Sequence, residues 1–367
     1  MLAVTRYLPP ILLALMVGAL YLPLAQYGYV HDDTVMIQGF DSTGMPDLSP
    51  VGKEFYRPLG SLYCYAVYRI FGTFTAGFHA LAMALLFATA LVVRLVARAL
   101  TQDDIAAWGS AFLFASAANL HLDAQMWMVG IFDNGAVFCA LLSLYTFTRN
   151  KHYLSAVWFA CALGFKESAA PVLFVAATYA LIVHGRPKVL VRLWPLAAVL
   201  AIWLAVKSFG ISPSHPAGAD PYAWSLAGWH VVRNLGLYIS WFAPVPLATI
   251  AVVIMAGWAC FTTPRVGWFL LAWALLMLLP LSLLLHHAFR YYALLALPPV
   301  AIVAMAGLAT FPAGAAWRRS IAIVLIVATF LTNLWFVQGH VRRGIDDDLP
   351  ARDDGYNHLI RRSLQGE

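Results

Sequence analysis

Residues 7–41 read YLPPILLALMVGALYLPLAQYGYVHDDTVMIQGFD. The first nineteen of them, 7–25, carry no charge. A bilayer core takes about 20 apolar residues per helix, so this run has the length of one membrane span. Only Arg6 precedes it as a basic flank, and no small-residue cleavage site stands before His31, so the run is expected to stay in place as a signal anchor. The span then delivers His31, Asp32 and Asp33 to what reads as the edge of the lipid.

Composition extends this reading to the whole chain. Of its 367 residues 62% are hydrophobic and 11% charged, against roughly 25% charged in a soluble domain. The mean hydropathy is +0.76. Thirteen Trp, sixteen Tyr and twenty-two Phe suit interfacial belts and packing in lipid. The net charge of +6 falls mostly in short loops, where it sets topology; a nucleic-acid partner is not expected. Cys64, Cys139, Cys161 and Cys260 form no CxxC pair and read as buried free thiols.

The same ruler places spans near 7–25, 77–99, 104–120, 125–147, 153–165, 169–184, 190–207, 244–263, 267–285, 291–311 and 319–338. The segment 224–242 carries His230, Arg233 and Asn234 and reads as interfacial, with a twelfth crossing as the alternative. With the N-terminus inside, eleven Lys and Arg lie in short inner loops and seven at the outer side, and five follow His340. That asymmetry favours eleven spans. The fold class is therefore all-α: a polytopic bundle of about 11 helices over residues 1–340, with a structured first outer loop at 26–76. A polar tail occupies 341–367. No repeat or low-complexity segment is visible.

On this topology the outer side gathers Asp32-Asp33, Tyr56-Arg57-Pro58, His121 and Asp123, Lys166-Glu167, and His286, His287 and Arg290. Ionisable groups at membrane depth are costly and often mark a functional path. Each also has a structural alternative. The acid pair reads equally as a solvated turn, Lys166-Glu167 as an ion pair, His121 and Asp123 as a loop cap, and the two histidines as interface residues. The first outer loop is too long for a mere connection, and LGSLYCYAVYRIFG within it suits an interfacial helix. A structured lid over a cavity fits this better than a carrier, which places charge in broken helices at the midplane. A transporter or flippase for a lipid-linked or small-molecule substrate, and a catalytically inactive accessory protein of envelope assembly, remain the competing classes.

The order of these motifs resembles the integral-membrane GT-C glycosyltransferases that use polyprenyl-phosphate sugars, nearest the bacterial relatives of the transmembrane, tetratricopeptide-containing O-mannosyltransferases. The matching residues are Asp32-Asp33, Tyr56-Arg57-Pro58-Leu59, Phe71-Gly72 with Phe78-His79, His121-Leu122-Asp123-Ala124 with Asp133, Lys166-Glu167, and Arg290-Tyr291-Tyr292. Two departures stand out. Ile131-Phe132 replaces the usual basic residue before Asp133, and Phe289 replaces the usual acid before the late Arg.

The resemblance implies a bacterial inner-membrane enzyme that transfers a hexosyl or pentosyl group from a polyprenyl-phosphate donor. The acceptor is a hydroxyl of a glycan, lipid or protein on the periplasmic face, and the anomeric configuration inverts. Asp32 is then the expected general base, with Asp33 orienting it, binding acceptor or holding a cation. Arg57, Lys166 and Arg290 are expected at the phosphate, and His121, Asp123, Glu167 and Tyr291 around the substrates. No cofactor is expected, while a divalent cation on Asp32, Asp33 and His31 stays open.

Overall fold

The computed structural model describes residues 2–30, 32–46, 48–51, 55–185, 187–208, 223–242, 246–285 and 288–346. His31, His286, His287 and the tail beyond 346 lie outside the described residues. Among those described the chain is largely helical, with an isolated antiparallel bridge between Trp224 and Leu284.

The helices are α1 (Leu2–Tyr21), α2 (Asp32–Thr43), α3 (Pro58–Phe71), α4 (Ala76–Thr101), α5 (Asp104–Ser116), α6 (Ala118–Met126), α7 (Ile131–Thr148) and α8 (His152–Phe165). Then come α9 (Val172–Thr178), α10 (Trp194–Ser208), α11 (Gly228–Phe242), α12 (Pro246–Thr262), α13 (Pro264–Ser282), α14 (Leu297–Ala309) and α15 (Ala315–Asp346). Each expected span overlaps at least one of these helices, and the third is divided between α5 and α6. By length and composition six helices can cross a membrane, or seven if a bent pair counts as one. The apolar helices at 152–165, 167–183, 250–262 and 297–309 fall short of the full crossing length. Helix α15 runs past its expected end at 338 to Asp346.

The third expected span is not straight. Helices α5 and α6 meet at 56°, broken at Ala117, whose ψ of 60° leaves the helical range. The groups freed by the break find partners across the bundle. Asn333 Oδ1 on α15 accepts the backbone N–H of Asn119 at 3.0 Å, and His121 Nε2 bonds the Phe114 carbonyl at 2.9 Å. Polar side chains replace the ladder that continuous helix would have supplied.

Both α2 and α3 lie in the long stretch between α1 and α4, so that this connection is itself helical. Pro58 opens α3, where its missing N–H costs nothing, and Gly72 closes it at φ +54°, a conformation that suits glycine. Tyr29 donates its hydroxyl to the Gly72 carbonyl at 2.6 Å, tying the two ends of the loop. Ile37, Phe40, Cys64, Val67, Tyr68 and Phe78 build a small apolar core beneath. The doubtful segment forms α11, fifteen residues long and not among the helices apolar and long enough to cross. Its His230 and Asn234 bond the Leu284 carbonyl, and Asn234 also reaches Ser282 O, so they satisfy carbonyls at the end of α13. Trp229, Val232 and Ile239 point outward.

The centre of the bundle is α14, almost wholly buried and rich in Ala and Gly. Helices in lipid associate by close packing of small residues. A Cβ on Gly307 would lie 2.0 Å from the Met255 carbonyl oxygen of α12. Gly307→Ala is therefore expected to cost about 1–3 kcal/mol by overpacking, whereas Gly18→Ala on α1, with open space around it, should change stability little. Melting of the two variants in one detergent checks this.

Candidate active site

The seven residues Trp127–Asp133 turn the chain from α6 into α7, and the site is built around them. Asp33 is fully buried. Its Oδ1 accepts the Val129 N–H at 2.9 Å, and its Oδ2 accepts Met128 N–H at 3.0 Å and Val30 N–H at 3.3 Å. The acid thus pins the start of α2 to the corner. Burial raises its pKa to about 7, and the three backbone donors restrain the rise. Asp32, the adjacent residue, is exposed.

On the other flank of the corner two ion pairs meet. Arg57 grips Glu167 with two hydrogen bonds, Nε to Oε2 at 2.9 Å and Nη2 to Oε1. Lys166 Nζ contacts both oxygens of Asp133 at 2.7 and 2.8 Å. Lys166 and Glu167 therefore ion-pair with other residues rather than with each other. The pairing is set by backbone: Lys166 is extended, at φ −157° and ψ 136°, so successive side chains point to opposite sides. Burial acts to raise the Glu167 pKa, but the Arg57 charge and hydrogen bonds, with Lys166, outweigh it and hold it at about 2.

Aromatic rings close the cluster. The Arg57 guanidinium lies 4.5 Å from the Phe55 ring centre and 5.3 Å from that of Phe132. Lys166 Nζ lies 4.6 Å from Tyr292 and 5.2 Å from Tyr291. Trp127 packs edge-on against Tyr291 at 5.8 Å. A cavity of about 350 Å³ opens here, lined by Arg57, Lys166, Glu167, Lys207 and Tyr292 with apolar residues from α13. Among the described residues no acid forms a salt bridge with Lys207, so two neutral pairs and one further cation give the cavity a positive bias.

No family model matches the sequence, and no curated protein matches it by sequence. The structure does have counterparts. It superposes on ArnT from Cupriavidus metallidurans bound to undecaprenyl phosphate with a TM-score of 0.58, covering 97% of this chain and 76% of that one at 14% identity. The chain has the GT-C fold. The apo form of the same ArnT gives 0.56 at 15% identity over 100% of this chain and 77% of that one. An apo oligosaccharyltransferase from Archaeoglobus fulgidus gives 0.57 at 10% identity over 91% and 55%.

Within this GT-C fold the expected site residues separate into groups. Arg57, Lys166 and Glu167 share the cavity, and Tyr292 rather than Tyr291 lines it. Tyr291 sits behind, between Trp127 and Lys166. Arg290 is not at the cavity; it is exposed, with its guanidinium 5.4 Å from the Phe336 ring on α15. His121 is a core residue, 1% exposed and edge-on to Tyr21 and Phe114, because the α5–α6 bend turns it inward. Asp123 is half-buried on the same helix. His79 also acts inside, bonding the carbonyls of Tyr27 and Gln125.

Of the roles expected of Asp33, orienting its neighbour suits these contacts: three backbone N–H groups occupy its two oxygens and leave little room for a cation or an acceptor. Among the described residues no three His, Cys, Asp or Glu side chains gather as a metal site, and no step below passes through a cation. Sequence reading did not single out Lys207, Phe55 or Phe132 as site residues. Lys207 carried a signal, since it is the basic residue in the last turn of an otherwise apolar helix, α10.

Two predictions follow from the burial. The folded pKa of Asp33 exceeds its ordinary 3.8, so its stabilising contribution is complete below about pH 4 and lost as pH rises through about 7. Asp33→Asn is expected to flatten the fall of melting temperature across that window. Lys166→Met leaves the Asp133 charge buried alone and should cost about 3–5 kcal/mol. Adding Asp133→Leu should recover most of the loss, as measured by thermal unfolding of the single and double variants.

Proposed function

We propose that the protein is a membrane glycosyltransferase that moves a sugar from a polyprenyl-phosphate donor to an acceptor hydroxyl. The carrying observation is the convergence of the Arg57–Glu167 and Lys166–Asp133 pairs, Lys207 and the Asp32–Asp33 turn on one corner of a GT-C fold. The undecaprenyl phosphate bound to the ArnT counterpart supports a polyprenyl-phosphate donor here. Arg57 and Lys207 are the groups we assign to the donor phosphate. A guanidinium offers planar, paired donors to phosphate oxygens, and an ammonium adds a point charge. Glu167 and Asp133 fix the directions of Arg57 and Lys166, and neutralise them while the cavity is empty.

Asp32 is the general base. Its carboxylate takes the proton from the acceptor hydroxyl as that oxygen forms its bond to the anomeric carbon. The bond from that carbon to the phosphate oxygen breaks on the opposite side, and polyprenyl phosphate leaves with the electron pair. A single displacement inverts the anomeric centre. Asp33 positions the base by locking the first turn of α2 to Met128 and Val129. The enzyme works at the outer, periplasmic face of a bacterial inner membrane, on a glycan, lipid or protein hydroxyl.

Because Asp32 is exposed, Asp32→Asn is expected to leave the melting temperature unchanged. Turnover should fall about 10²–10⁴-fold, the usual share of a general base. The assay is consumption of a panel of polyprenyl-phosphate sugars by the purified protein in liposomes. Near-wild-type turnover by Asp32→Asn rules out the base assignment, and consumption of no sugar in the panel by the wild type rules out the donor class.

A further inference from the structure

A cavity of about 530 Å³ lies at the opposite end of the bundle from the charged site. Two helices fix that separation. Helix α8 starts at His152, beside the cavity, and ends at Phe165, just before Lys166. Helix α10 starts at Trp194 and carries Lys207 in its last turn. The fourteen residues of α8, at about 1.5 Å each, set the two cavities about 20 Å apart. They share no lining residue.

Two turns build its rim. Asn150 joins α7 to α8 in the left-handed region, at φ +60°, which asparagine tolerates better than most residues. After α9, Tyr179–Val183 form a π turn, with the His184 N–H donating to the Tyr179 carbonyl at 3.3 Å. His184 is thereby brought to the cavity, its ring edge-on to that of Tyr179 at 5.1 Å. Lys188 and Arg192 follow on the 3₁₀ stretch Pro187–Leu193 that leads into α10. Arg192 Nη1 donates to Asn150 Oδ1 at 3.1 Å, which links the two turns and orients the guanidinium.

Among the described residues no Asp or Glu lines this cavity; its polar side chains are those of Lys188, Arg192, His184 and Asn150. In residues 149–194 the sole acid is Glu167, at the other end of α8. A topology signal needs basic residues in a short loop, but no particular arrangement of them. Here an ammonium, a guanidinium held by an asparagine and an imidazole border one hollow, a donor set suited to a phosphate. Its depth is marked by aromatic residues. Tyr153 on α8 and Trp194 on α10 are exposed and pack edge-on at 5.8 Å, and such residues collect at the level of lipid headgroups. Leu154 and Val157 of α8 and Ile202 of α10 are exposed and apolar further along the same helices, where acyl chains run.

We propose that this cavity binds the phosphate of an anionic phospholipid, held by Lys188 and Arg192 with His184 as a further donor. Basic pockets between membrane helices are a setting in which such headgroups bind. A zwitterionic headgroup fits less well, because no carboxylate lines the cavity to receive its ammonium. The site does not rest on the sugar-transfer reading. The test uses the full-length protein, delipidated in a neutral detergent, and native mass spectrometry reads the dissociation constant of the first lipid bound. Three probes are compared: phosphatidylglycerol, phosphatidylcholine of the same chain length, and glycerol 3-phosphate, which has the phosphate without acyl chains.

Phosphatidylglycerol should bind about tenfold tighter than phosphatidylcholine, and equimolar glycerol 3-phosphate should not displace it. Lys188→Gln combined with Arg192→Gln should weaken phosphatidylglycerol binding about tenfold to thirtyfold, near fivefold per charge. Both side chains are exposed, so the fold should survive the change. Arg265→Gln combined with Arg319→Gln removes the same charge from exposed positions outside the cavity, and should alter binding less than about twofold. Equal affinity for the two lipids overturns the proposal. An equal loss in the two double variants overturns it too, since net charge would then account for the binding. Displacement by equimolar glycerol 3-phosphate overturns the lipid assignment in favour of a soluble phosphate compound.

Discussion

The grip of the Asp33 carboxylate on the N–H groups of Met128 and Val129 is the contact on which the rest of the site depends. It joins segments 95 and 96 residues apart in sequence, and it fixes the corner between α6 and α7 against the start of α2. The other site contacts radiate from that corner. Trp127 meets Tyr291, Phe132 lies under Arg57, and Asp133 holds Lys166. Gly60 of α3 has no Cβ because the Phe132 ring occupies that space, with a carbon 2.0 Å from where a Cβ would stand. A loop helix, two bundle helices and a late turn are thereby held in one arrangement.

The apolar runs were legible because membrane burial writes itself into composition. Every expected span overlaps at least one helix, and the interfacial segment LGSLYCYAVYRIFG forms α3. Bends were not legible. Nothing in ASAANLHLDAQM announces a 56° break at Ala117, since its cause is long-range: α15 supplies Asn333 to cap the new helix start. The same bend sends His121 into the core, so a motif that reads as a site places one of its polar residues there.

Neighbouring acids also proved unequal in a way that spacing cannot reveal. Asp32 and Asp33 are adjacent on the first turn of α2, about 100° apart around the axis, so one faces solvent while the other faces the corner. At the two positions where the sequence departs from the pattern it resembles, the structure shows what the side chains do. Phe132, where a basic residue is usual, gives Arg57 an aromatic face rather than a second positive charge. Phe289, in place of the usual acid, stacks on Tyr291 at 5.4 Å, and Arg290 turns to Phe336 instead of to a carboxylate.

Burying Lys166 and Asp133 and half-burying Arg57 and Glu167 is tolerable only because they neutralise each other at contact distance. The arrangement has a consequence for chemistry. A cavity whose Arg and buried Lys already hold carboxylates does not attract a phosphate as strongly as bare cations would. On the proposed reading this limits how tightly the departing polyprenyl phosphate is held, since Glu167 and Asp133 compete for the same donors. Lys207 breaks the balance by one charge and gives the donor a preferred side of approach. Exchange of a carboxylate partner for a phosphate partner, rather than capture by an unpaired cluster, is the electrostatic logic these paired residues impose.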